Sequence, residues 1–127
     1  MIESRRIVTV VFTVADLDRS MQLYSEAFGL VFRLSDHDGD NPWASGRHAA
    51  ISWTGSELMD FALYASKDGT TTSGAQIAFR VEDTESAHTT AVAAGAEVLH
   101  DPIAQPWGRS SRYKDLDGNV IELTQPG

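Results

Sequence analysis

Few side chains in this chain could do chemistry, and they are scattered. Cysteine is absent, which removes thiolate nucleophiles, disulfides and cysteine-based metal centres. The four histidines share no ligand spacing: His37 lies in a polar stretch, His88 in a helical pattern, His100 at a strand end, and His48 opens a strand. Only His48 is placed to approach a ligand; the others read as surface or capping groups. Asp36, Asp38 and Asp40 alternate as in a calcium loop. However, Asn41 stands where glycine is needed, Pro42 follows, and Arg47 replaces the closing glutamate, so a solvated loop is expected. Ser45 and the Ser110-Ser111 pair lack a glycine-flanked nucleophile elbow. That leaves Trp43, Trp53, Trp107, Tyr64 and Tyr113, with Arg109 and Arg112. Flat rings and guanidinium groups suit a planar, partly polar small molecule. The same tryptophans would serve as core or interface; Trp43 and Trp107 stand apart because they fall in loops.

An internal repeat organises the elements that must position these groups. Residues 75–98 match residues 8–31 at a shift of about 67, aligning Phe12 with Phe79, Val14 with Val81, Asp16 with Asp83 and Ala27 with Ala94. Asp16 is placed to cap a first helix whose apolar face is Leu17, Met21, Tyr24 and Phe28, ended by Gly29. Asp83 is placed to cap a second, with small residues Ala87, Ala91 and Ala94 on its buried face and Gly95 as its stop. Strands are expected over 7–14, 30–34, 48–54, 57–64, 75–81, 97–100, 109–115 and 119–124. Hairpin turns are expected at Gly55-Ser56 and Asp117-Gly118, and a loop over 101–108. The order is βαβββ twice: an α+β protein of two curved mixed sheets around a central trough, helices on the outer faces. One domain is expected over 1–127, with modules at about 5–65 and 75–125 and a linker over 66–74.

Ten basic against eighteen acidic side chains leave a net charge of −8, which disfavours nucleic acid and anionic membrane surfaces as partners. The same field favours a neutral or cationic ligand; an anion would need Arg109 or Arg112 to overcome it. The N-terminal apolar run is broken by Thr9 and Thr13 and lacks a small-residue cleavage site, so a cytoplasmic protein is expected.

The stretches VADLDRSMQLYSEAFGL (14–30), AFRVED (78–83), AAGAEV (93–98), PWGR (106–109) and DLDGNVIEL (115–123) resemble the vicinal oxygen chelate superfamily of glyoxalases, bleomycin-resistance proteins and extradiol dioxygenases. The last departs from the usual Asp-Pro-Asp-Gly-Asn only at Leu116. The resemblance implies a divalent-metal position on each of four strands. Here they match Thr9, Gln76, Glu122 and, on the fourth strand, either Ala62 or Asp60, two residues apart on one face. A Lewis-acid centre needs about three firm ligands. Thr9 is a neutral hydroxyl, Ala62 cannot coordinate, Gln76 offers only a carbonyl, and Glu122 alone is strong, so no metal and no other cofactor is expected. Glu122 remains open as a general base or as a carboxylate inherited with the fold. The resemblance implies a metal-free binder of an aromatic natural product, as in bleomycin-resistance proteins, working as a homodimer. The alternative is a glyoxalase-like lyase or isomerase, or a dioxygenase relative, using Glu122 and Gln76 with a weakly held divalent metal.

Overall fold

A computed structural model describes residues 7–36, 42–53 and 59–127. His37, Asp38, Asp40 and Asn41 of the acidic loop, the Gly55-Ser56 turn and the side chain of Trp53 lie outside the described residues. The first module runs β1 (Thr9–Val14), α1 (Leu17–Phe28), β2 (Arg33–Asp36), β3 (Arg47–Trp53) and β4 (Met59–Ala65). The second runs β5 (Gln76–Arg80), α2 (Thr84–Ala93), β6 (Glu97–Gln105), β7 (Gly108–Lys114) and β8 (Val120–Pro126). Each forms a four-stranded mixed sheet, ordered β1-β4-β3-β2 and β5-β8-β7-β6. In both, the first strand runs parallel to the last and the other pairs are antiparallel. Among the described residues no helix is long and apolar enough to cross a membrane.

The helices begin and end for the reasons their sequences give. The Asp16 carboxylate accepts the Arg19 N–H at 3.1 Å, and that of Asp83 accepts the Glu85 N–H at 3.1 Å, each satisfying a donor that the first turn leaves unpaired. Gly29 and Gly95 follow with φ of 71° and 85°, the left-handed conformation that stops a helix. The fully buried stripe of α1 is Leu17, Ser20, Tyr24 and Ala27, with Met21 and Phe28 at its half-buried margin. The expected face was therefore rotated by part of a turn, because a small serine and alanine take the closest approach. The chain divides into two compact units, one reaching to Met21 and continuing through Val31–Thr71, the other joining Gln22–Leu30 to Thr72–Gly127. Helix α1 is thus shared between them. In the first unit Phe12 meets Phe61 edge to face at 5.1 Å, and Ala49 and Leu63 are fully buried around them. In the second, Phe28 of α1 lies 5.6 Å from Tyr113, which His88 of α2 also covers.

One element is longer than expected. The strand read as ending at His100 continues through Pro102 to Gln105. Its pairing with β7 shifts register between His100 and Ile103, so the proline sits at an irregularity. Since β6 is an edge strand, the missing N–H costs no central ladder bond.

Candidate functional site

On the first sheet the register brings three of the expected ligand-binding residues together. His48 of β3 pairs with Tyr64 of β4, and their rings stack with centroids 4.4 Å apart and planes 6° apart. Trp43, just before β3, lies against the other ring of the pair, its centroid 4.9 Å from Tyr64. More than half of Trp43 (54%) remains exposed, so the series ends on an indole that a ligand can reach. The His48 ring is oriented by its Nδ1, 3.1 Å from the Gly46 carbonyl. Because a carbonyl only accepts, that nitrogen carries the hydrogen.

Beside the stack is a cleft of about 470 Å³ lined by Val31, Arg33, Ser35, His48, Ala50, Ile51 and Ser52. Its volume is within the range of small-molecule sites. Within the cleft Ala50, paired with Ala62 across β3 and β4, puts a small methyl group next to the much larger His48. A second cleft, of about 460 Å³, lies at Arg80, Val81, Glu82, Gln125 and Pro126. It holds no aromatic ring, and the Gln125 side-chain oxygen is already taken by the Thr84 N–H at 3.0 Å and the Thr84 hydroxyl at 3.3 Å. The cleft on the first sheet, by contrast, has the His48 ring in its lining.

On the second sheet, Glu122 is 5% exposed and both its oxygens are engaged. Arg112 donates to one at 2.9 Å and the Thr124 hydroxyl to the other at 2.9 Å. Ser110, paired with Thr124, is fully buried, and its hydroxyl finds no partner among the described residues. Arg109 does not join this group: its guanidinium is bonded to Glu85 of α2 and, at 3.2 Å, to the Pro102 carbonyl. Tyr113, expected at the ligand, is wholly buried instead. Its hydroxyl lies 2.7 Å from His88 Nδ1 and 2.9 Å from Ser111 Oγ, so it is a satisfied core phenol. Burial raises its pKa. Trp107 lies in the β6–β7 turn, 52% exposed. His88, expected at the surface, is half-buried, with Nε2 3.4 Å from Asp101.

The sequence model of the Glyoxalase/Bleomycin resistance protein/Dioxygenase superfamily matches residues 6–123. The chain belongs to that superfamily. A search of curated proteins finds no match. Among solved structures it is similar to TnmS3, an antibiotic binding protein from Streptomyces sp. CB03234, at 26% identity over 100% of each chain and a TM-score of 0.69. TioX from Micromonospora sp. ML1 is 23% identical over 96% of this chain and 99% of its own, with a TM-score of 0.65. Glyoxalase I from Zea mays reaches a TM-score of 0.77 at 20% identity, this chain spanning 45% of its length. These last two likenesses are of fold.

The register shows which residues of the two modules are counterparts. Thr9 and Gln76 open β1 and β5, and each pairs with the first part of its parallel partner, Asp60 and Val120. Two residues on, Val11 pairs with Ala62 and Ala78 with Glu122. Ala62 is therefore the counterpart of Glu122, and Asp60, which accepts a hydrogen bond from Ser52, is the counterpart of Val120. The four positions thus hold a hydroxyl, a methyl, an amide and a carboxylate bound to Arg112. Such a set does not fit a three-ligand Lewis-acid centre. Among the described residues no three His, Cys, Asp or Glu side chains are grouped to share a metal.

The sequence reading missed Arg33, Ser35, Ala50 and Ser52 as cleft residues, since nothing in four short strands tells which polar positions share a face until pairing is known. It also missed the work of the Asp-Leu-Asp-Gly-Asn stretch. Asp115 accepts the N–H groups of Asp117 (2.9 Å) and Asn119 (2.8 Å), the Asn119 amide (3.0 Å) and the Tyr24 hydroxyl (2.7 Å). Asn119 in turn donates to the Thr72 carbonyl and accepts from Ala75 N–H. The motif ties the start of β5 and the end of α1 to the β7–β8 hairpin.

Proposed function

We infer that the protein is a metal-free binder that sequesters a planar aromatic small molecule, a natural product of the antibiotic type. The observation that carries this is the Trp43–Tyr64–His48 ring series, exposed at one end and opening beside a cleft of ligand size. Stacked faces hold a flat ligand by dispersion and desolvation without any reacting group. The likeness to the antibiotic binding protein TnmS3 over the full length of both chains supports the same reading. The engagement of both Glu122 oxygens and the methyl at Ala62 support binding without metal chemistry. The reading includes a homodimer, supported by the apolar row Val98, Leu99, Ile103 and Trp107 left exposed along edge strand β6 and its turn.

The test is a screen of aromatic antibiotics by tryptophan fluorescence and thermal shift. A ligand that binds only the folded state must raise the melting temperature. Saturable quenching with a raised melting temperature, lost in Trp43→Ala, and recovery of the compound unchanged are expected. Recovery of a new product, abolished by Glu122→Ala with binding intact, would make the protein an enzyme instead.

A further inference from the structure

The charge of the ligand can be read from the arginines. Arg47 is paired with Asp18 at 2.7 Å, Arg109 with Glu85, and Arg112 with Glu122 at 2.9 Å. Each of these cations is answered by a carboxylate of the chain itself. Arg33 lines the cleft and makes no ion pair among the described residues. It sits on edge strand β2 opposite Ala50, and Ser35, one strand step away, sits opposite His48. Ser35 and the His48 ring therefore share one end of the cleft, next to the ring stack, with Arg33 in the adjoining row beside Ala50. No carboxylate is among the lining residues; Asp60, across β3, accepts the Ser52 hydroxyl, and Asp36 follows Ser35 on β2 opposite Arg47.

We propose that this cleft takes a planar aromatic acid, its ring along the His48–Tyr64 pair above Ala50 and its carboxylate or ionised phenol held by Arg33 and Ser35. This rests on the aromatic-binding reading above and adds the ligand's charge to it. Net charge −8 opposes an anion only at long range. At physiological salt that repulsion decays over about 8 Å, whereas a guanidinium touching a carboxylate acts at hydrogen-bond distance, where the attraction is strongest. The local cation therefore outweighs the global field. The group reading the acid is Arg33, not Arg109 or Arg112, because those two are neutralised within the chain.

The experiment compares naphthoate with naphthamide by calorimetry on the wild-type chain, Arg33→Gln, Arg33→Lys and Trp43→Ala. The two probes share a ring system and differ in charge. Naphthoate is expected to bind about tenfold tighter than naphthamide, a difference of one ordinary charged hydrogen bond. Arg33→Gln should bring the two affinities together by weakening the acid alone, and Arg33→Lys should retain part of the preference. Arg33 is exposed on an edge strand, so these variants should melt as the wild type does. Equal affinities in the wild type, or a preference that survives Arg33→Gln, would overturn the proposal while leaving the aromatic reading in place, provided Trp43→Ala weakens both probes. Binding of neither probe would overturn both.

Discussion

Ser110 and Glu122 lie on neighbouring strands of the second sheet, yet they stand at opposite extremes of polar satisfaction. Glu122 has a donor on each oxygen, while the buried Ser110 hydroxyl has none among the described residues. An unsatisfied buried hydroxyl carries a desolvation cost of about 1–3 kcal/mol. Ser110→Ala keeps the methylene and removes that cost, so it should stabilise the ligand-free protein by about 1 kcal/mol. Urea unfolding measures it. A clear loss of stability would mean that the hydroxyl is bonded in solution. The contrast between Arg33 and Arg112 is of the same kind: two arginines on cleft-side or polar sheet positions, one committed to a neighbour and one available to a ligand.

At the scale of elements, the decisive joint is the β7–β8 hairpin with the Asp115 carboxylate inside it. Asp115 is buried and remains tolerable because four donors converge on it. Tyr24 supplies one of them from α1, and burial together with that carboxylate pushes its phenol far above the ordinary value of 10.0. The sign follows directly. Folding holds the phenol protonated, so its contribution is complete below the unfolded value and declines as pH rises past it, when the unfolded chain ionises first. Tyr24→Phe should cost about 2 kcal/mol at neutral pH, the worth of one hydrogen bond to a charged acceptor. It should also flatten the fall in stability above pH 10.0, read from melting temperatures across the alkaline range. An unchanged alkaline limb would assign that titration to other groups, of which Tyr113 is one.

For the whole molecule, charge and exposed apolar surface make different demands. The −8 charge keeps chains apart at long range, while Val98, Leu99, Ile103 and Trp107 leave an apolar row on an open strand edge. Burial of such a row favours pairing at about 25 cal/mol per Å² of apolar area removed from water. Light scattering in the micromolar range should report a dimer, more complete at high salt because repulsion is screened. Ile103→Lys places a charge on the edge and should return the chain to a monomer. A monomer at all salt concentrations would remove the homodimer from the functional reading.

The repeat, the two helix starts at Asp16 and Asp83, the glycine stops and the superfamily were all legible in the sequence, because caps, periodicity and repeats are local or self-similar patterns. Strand pairing was not legible, and pairing decides which side chains come together. Only the register could make Ala62 the counterpart of Glu122, place His48 against Tyr64, put Arg33 on the cleft and bury Tyr113 under the helices. The extension of β6 through Pro102 was hidden for the same reason: whether a proline breaks a strand depends on whether that strand is at an edge. Side chains alternate every second residue, so a composition of tryptophans, tyrosines and arginines says which rings and charges are available. The hydrogen-bonded partner of each strand says which of them meet.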